Sequence, residues 1–145
     1  MKPMRLYFDT SVIGGYYDEE FEELTRLLFD AFRSGRFDLL VSETLIDEVE
    51  EAPEQVRLLL RELLEKGAER LESSEEAFIL QDAYLNAGVV SNRYSNDALH
   101  VAQATLAGAD AIVSWNFRHL VHPERIRAYN KVNHAEGHGV IIILT

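Results

Sequence analysis

The chain has 145 residues, 47% of them hydrophobic, which is enough for one ordinary domain with a real core, and it contains no cysteine. That absence excludes disulfides, thiolate zinc sites and cysteine nucleophiles, so any chemistry falls to carboxylates, imidazoles and hydroxyls. A net charge of −11 argues against a protein that simply coats nucleic acid, because phosphate binding draws on clustered Lys and Arg.

The acidity is unevenly spread. Residues 1–111 hold 10 Lys/Arg against 23 Asp/Glu, whereas residues 112–145 hold 4 against 2, together with His119, His122, His134 and His138. For most of the glutamates, solubility is sufficient explanation. No stretch approaches the roughly 20 consecutive apolar residues of a membrane span, and the start, MKPMRLYFDTS, lacks the long apolar region of a signal peptide. A soluble cytoplasmic protein is expected, with no membrane partner.

In chain order, Arg5–Asp9 reads as a short buried strand that stops at a carboxylate, and Thr10 and Ser11 begin a turn through Gly14 and Gly15. From Asp18 the spacing of Phe21, Leu24, Leu27, Leu28, Ala31 and Phe32 is helical, with Gly35 placed to close the helix in a left-handed cap. Phe37–Val41 is a second strand. Ser42 restarts a helix through Leu45, Ile46, Val49 and Ala52, until Pro53 breaks it or opens another. Residues 54–66 are helical and end at Gly67, and Ala68–Leu71 suits a short strand. Ser73 and Glu76 form a capping box for the next helix, which Gly88 closes. Ser95 or Asn96 caps a helix running to Gly108. Asp110–Trp115 is a strand, Pro123 opens a last helix, and Val140–Leu144 is a final strand.

Strands alternating with helices imply a mostly parallel sheet covered on both faces, a three-layer α/β/α architecture. With no internal repeat, low-complexity tract or linker, residues 1–145 read as a single domain. In such sheets the binding crevice lies beyond the carboxyl ends of the strands. Asp9 and the Trp115–Asn116 junction both stand at ends of that kind.

Three acids are candidates for chemistry. In the Ser42 helix, at roughly 100° per residue, Glu48 lies about 90° from the centre of the apolar side, whereas Asp47 and Glu51 lie about 150° or more away. Glu50 is nearly as close on the opposite flank, so helical geometry narrows the choice without completing it. Asp97 sits in the first turn of a helix that is apolar nearly all round and shares a face with Val101 and Ala104, where a carboxylate is costly unless paired or metal-bound. Its ordinary alternative is a favourable charge at a helix N-terminus. Asp9 alone would be explained as a cap for the following turn. Together, Asp9, Glu48 and Asp97 can point into one crevice, where three carboxylates repel unless a cation is present. Mg²⁺ suits such a site because it takes hard oxygen ligands and keeps several waters. The hydroxyls of Thr10 and Ser11 stand beside Asp9, able to bind a metal water or a phosphate oxygen, although capping is the expected duty of at least one. No nucleophile elbow and no Gly-rich phosphate loop is present, and Gly137 between His134 and His138 disfavours a helical metal pair.

The segments Leu6–Ile13, the Glu48 helix, Asn96–Ala102 and Ala111–Asn116 resemble PIN domains in order and spacing, over nearly the whole chain. Many bacterial PIN proteins of this size resemble VapC-type toxins of toxin-antitoxin pairs. The resemblance implies a divalent-metal-dependent endonuclease acting on RNA, with Mg²⁺ the expected ion and Mn²⁺ an admissible substitute. It also suggests an antitoxin protein partner and a homodimer. Position by position, Asp9, Glu48 and Asp97 match the first three family acids. The fourth acid commonly follows the strand that here reaches Ser114-Trp115, and this chain has Asn116 instead, followed by Phe117-Arg118-His119, which resembles a PIN subset with Asn at that position. Asn116 can coordinate through its carbonyl or position a water, but it removes one negative charge and should weaken a second metal site. Arg118, His119, His122, Arg125, Arg127 and Lys131 are candidates to hold the RNA backbone. Trp115 is a candidate to stack a base, with core packing its expected fate. Two other readings remain: a catalytically weak scaffold acting by binding RNA or protein, and a metal-dependent phosphohydrolase of small nucleotides.

Overall fold

A computed structural model of the chain describes residues 2–116 and 120–144. Among them the elements follow as β1 (Met4–Phe8), α1 (Thr10–Gly15), α2 (Glu22–Arg33), β2 (Phe37–Ser42), α3 (Glu43–Val49), α4 (Glu54–Glu65), β3 (Glu69–Leu71), α5 (Glu75–Asn86), a 3₁₀ turn (Asn92–Tyr94), α6 (Ser95–Leu106), β4 (Ala111–Val113), α7 (Pro123–Ala135) and β5 (Ile143–Leu144). The strands form one sheet in the order β3-β2-β1-β4-β5, and every neighbouring pair is parallel. The expected three-layer α/β/α architecture with a parallel sheet is therefore what the chain adopts.

Period-two alternation along the strands creates the layers. Leu6 and Phe8 of β1 join Leu39, Val41, Ala111 and Val113 on one face, packed with Phe29, Leu45, Val49, Leu59 and Leu63 from α2, α3 and α4. Tyr7 points the other way, with Leu40, Ile112 and Ile143, against Leu80, Tyr84, Val101 and Tyr129 of α5, α6 and α7. A one-residue slip of β1 would exchange these faces, which fixes the register Leu6↔Leu39 and Leu6↔Ala111.

The chain runs outward from β1 to β2 and β3, then returns to the other side of β1 for β4 and β5. This reversal opens a crevice beyond the carboxyl ends of β1 and β4. Asp9 follows β1 and Asn116 lies three residues past β4, so the fold puts both at that crevice.

Several local expectations are corrected. The turn expected at Thr10–Gly15 is the helix α1. The cap of α5 is Ser74, whose hydroxyl accepts from the Ala77 N–H at 3.1 Å, so the box expected from Ser73 and Glu76 does not form. Neither Ser95 nor Asn96 caps α6. The 3₁₀ turn feeds directly into it through Tyr94, without a side-chain capping bond. Gly35 does close α2 as expected, at φ 76°, with the Arg36 N–H returning to the Ala31 carbonyl and the Gly35 N–H to that of Phe32. No helix among the described residues is long and apolar enough to cross a membrane.

Candidate active site

Asp9 is 4% exposed. It occupies the N-cap position of α1, where its side chain makes no full capping bond, although the Val12 N–H is close enough to favour its charged form. Its carboxylate accepts from two hydroxyls, Ser11 Oγ to Oδ1 at 2.5 Å and Ser114 Oγ to Oδ2 at 2.5 Å. Both hydroxyls are oriented by the backbone beyond β4: Ser11 Oγ accepts from the Trp115 N–H and Ser114 Oγ from the Asn116 N–H, each at 2.9 Å. A hydroxyl that accepts an N–H has its own proton free to donate, and here both protons go to Asp9. Burial nevertheless pushes the Asp9 carboxyl above its ordinary pKa, with the His100 imidazole and the two serine hydroxyls pulling the other way. A desolvated carboxylate of this kind favours a nearby cation.

Ser114→Ala removes one charge-assisted donor to Asp9 and the acceptor of the Asn116 N–H. We expect it to lower unfolding free energy by about 1.5–3 kcal/mol, read from the urea midpoint.

Glu48 stands on α3 with 33% of its side chain exposed. Its Oε1 accepts from Thr10 Oγ1 at 3.1 Å and meets His100 Nε2 at 2.7 Å. Burial raises the Glu48 pKa, but the His100 contact and the Thr10 hydroxyl outweigh it, and the net shift is downward. Glu48 and Glu50 are both exposed, and it is the contacts with Thr10 and His100 that set Glu48 apart as the acid facing the crevice. Asp97, in the first turn of α6, is half-buried, and its Oδ2 accepts from Asn116 Nδ2 at 3.4 Å.

These hydrogen bonds connect the surroundings of the three acids. Among the described residues no three Asp, Glu or His side chains converge closely enough to hold a metal ion. Hydroxyl, imidazole and amide groups occupy the carboxylates of Asp9, Glu48 and Asp97. The donor set still suits Mg²⁺ in another form, since that ion is commonly held by one or two carboxylates with waters completing its shell.

Thr10 and Ser11 do not cap α1, contrary to expectation; each donates to a carboxylate. Trp115 is core: its ring stacks on Phe21 at 5.7 Å between centroids and 3° between planes, and its Nε1 donates to Thr25 Oγ1 at 3.0 Å. Arg125 is committed to the Val89 carbonyl at 3.3 Å, whereas His122, Arg127 and Lys131 are exposed on or just before α7. Arg118 and His119 lie outside the described residues.

Sequence reasoning passed over Ser114 and His100. A lone imidazole inside an otherwise apolar helix was the available signal for His100, which is 2% exposed. Its Nδ1 lies 2.5 Å from the Tyr7 hydroxyl, and that hydroxyl lies 2.7 Å from Ser42 Oγ.

The family model described as PIN domain matches residues 5–118. No curated protein sequence matches the chain. Among solved structures it is similar to a chain in the crystal structure of VapBC2 from Rickettsia felis bound to a DNA fragment from their promoter, at 14% identity, with 97% of each chain covered and a TM-score of 0.58. At that identity the likeness is one of fold.

Proposed function

The chain belongs to the PIN-domain family, and from that premise we propose that it is a Mg²⁺-dependent endoribonuclease, hydrolysing RNA phosphodiester bonds as the toxin of a toxin-antitoxin pair. The observation that carries the reading is Asp9, a carboxylate 4% exposed and fixed by two serine hydroxyls at the crevice end of β1, beside the Asn116–Asp97 contact. Keeping such a group charged and dry is costly, and a cation at the crevice is what offsets the cost. The fold likeness to a chain of a VapBC2 assembly supports an antitoxin partner for this protein.

In this reading Asp9 and Asp97 hold the ion, which when bound supplies Lewis-acid neutralisation of the scissile phosphate. Asn116 steadies Asp97 through its amide N–H. Both Glu48 contacts go to Oε1, leaving Oε2 unengaged among the described residues and able to accept from an attacking water. The exposed His122, Arg127 and Lys131 offer positive charge along α7 to a single-stranded or looped RNA backbone.

A second reading, a catalytically weak scaffold that binds RNA or protein, is favoured by one observation. Asn116 stands where the family commonly has an acid, and its amide donates to Asp97 instead of adding charge. Incubation of mixed-sequence RNA with Mg²⁺, and with EDTA, separates the readings. Cleavage that EDTA stops is the expected result. Intact RNA with phosphate released from nucleotides would favour a phosphohydrolase, and neither activity would favour the scaffold.

A further inference from the structure

A buried polar chain runs beneath the carboxylates. Ser42 Oγ accepts from the Leu45 N–H at 3.1 Å, capping α3, the helix that carries Glu48. The Tyr7 hydroxyl, fully buried, bridges Ser42 Oγ and His100 Nδ1 at 2.7 and 2.5 Å, and His100 Nε2 meets Glu48 Oε1 at 2.7 Å. A carboxylate can only accept, so Nε2 carries the proton of that bond.

Placement gives the chain its meaning. Tyr7 on β1 lies two residues before Asp9, His100 follows Asp97 by one helical turn on α6, and Ser42, the last residue of β2, caps α3, which carries Glu48. Each member therefore stands on, or directly adjoins, the segment that carries one of the three acids. Tyr7 packs into the α5–α7 layer while α3 belongs to the opposite layer, so the Glu48–His100 bond joins the two layers over the end of the sheet. An imidazole, a phenol and a serine hydroxyl with little exposure are expensive to bury for stability alone, because apolar groups of similar volume would pack without a desolvation cost. A fully connected network fixes geometry instead.

We propose that His100 is a positioning residue for Glu48, holding Oε1 through Nε2 so that Oε2 faces the crevice, with Tyr7 and Ser42 fixing the imidazole against the cap of α3. The inference rests on the nuclease reading, since it assigns Glu48 a water to orient. Supporting groups of this kind typically contribute about 10–100-fold to activity.

The test measures RNA cleavage with Mg²⁺ by the wild type, His100→Ala, His100→Gln, Glu48→Gln and the His100→Ala/Glu48→Gln pair, with melting curves for each. His100→Ala should lower kcat by about 10–100-fold and leave KM for RNA within about twofold, because the RNA does not touch His100. His100→Gln, which keeps an N–H donor, should restore most of the rate. The double variant should be no slower than Glu48→Gln alone, because His100 acts through Glu48. Full activity in His100→Ala, additive losses in the pair, or a His100→Gln variant that melts like wild type but is as slow as His100→Ala would each overturn the proposal. Should the wild type fail to cut RNA, the nuclease reading fails by itself, and the network is judged by imidazole ¹⁵N NMR. A His100 Nε2 resonance that shifts in Glu48→Gln, with Nδ1 shifting in Tyr7→Phe, upholds the contacts. Resonances that move in neither variant overturn them.

Discussion

Asp9→Asn is expected to suppress RNA cleavage by on the order of 10²–10³-fold while making the fold more resistant to unfolding at neutral pH. The loss follows from removing the charge that the proposed ion needs. The gain follows from the desolvation that raises the Asp9 pKa in the folded protein despite His100, Ser11 and Ser114. A carboxyl so shifted binds more protons in the native state than in the unfolded one, beginning near its ordinary value of 3.8 and continuing up to its folded value. Stability therefore falls as pH rises through that window and stays lower above it. Asparagine cannot ionise and escapes that decline. It can accept from only one of the two serine hydroxyls, which offsets part of the gain.

Urea unfolding at pH 7 should place the Asp9→Asn midpoint above that of the wild type, with the difference shrinking as the pH is lowered. A midpoint at or below the wild-type value would show that the serine bonds dominate the desolvation. Mg²⁺ supplies the complementary measurement. At about 100 times its Kd it should stabilise the wild type by about 2.7 kcal/mol and leave Asp9→Asn unmoved, whereas equal stabilisation of both would remove Asp9 from the ion's ligands.

The parallel layering could be read from the sequence because its signals are local. Short apolar runs such as Phe37–Val41 alternate with helical periods, and glycines stand where chain reversal needs a positive φ, as at Gly35. The position of Asp9 at the end of β1 was legible for the same reason. What its side chain does was not, because the groups that hold it come partly from Ser114, 105 positions along the chain and adjacent only through the pairing of β1 with β4. The usual local expectation for such an aspartate is a helix cap, and tertiary hydroxyls displaced it. Local expectation also failed at α6, where Ser95 and Asn96 look like caps but the preceding 3₁₀ turn brings the chain in already wound.

Glu48 and His100 show the same division. Helical spacing left Glu48 and Glu50 nearly equivalent, because rotation about one axis cannot say which flank faces a neighbouring helix. The contacts with Thr10 and His100 decide it. His100 was overlooked because its helix is apolar nearly all round, a pattern that announces burial and hides the one polar residue that burial makes consequential. Convergence of backbone positions points to a three-carboxylate sphere, but it says nothing of the hydroxyl, imidazole and amide partners that the oxygens take.

Gly15→Ala is the substitution expected to damage the fold most for its size, and Gly14→Ala is its control. Both glycines lie in α1, where alanine is intrinsically favoured over glycine by about 0.5–1 kcal/mol. A Cβ at Gly14 would meet nothing within 4 Å, so that change should be neutral or stabilising. A Cβ at Gly15 would lie 2.7 Å from Trp115 Cδ1 and Nε1 and 2.9 Å from Thr25 Oγ1. The indole cannot retreat freely, since it is stacked on Phe21 and bonded to Thr25, whose hydroxyl in turn donates to the Phe21 carbonyl at 2.7 Å. Overpacking of this kind costs about 1–3 kcal/mol. Displacement of Trp115 also reaches the site, because its N–H is donated to the same Ser11 hydroxyl that holds Asp9. Gly15→Ala should therefore lower both the urea midpoint and the rate of RNA cleavage, while Gly14→Ala lowers neither. A Gly15→Ala protein with wild-type midpoint and rate would mean that the tryptophan can shift without disturbing Ser11, and the carboxylate would then owe its position to Ser114 alone.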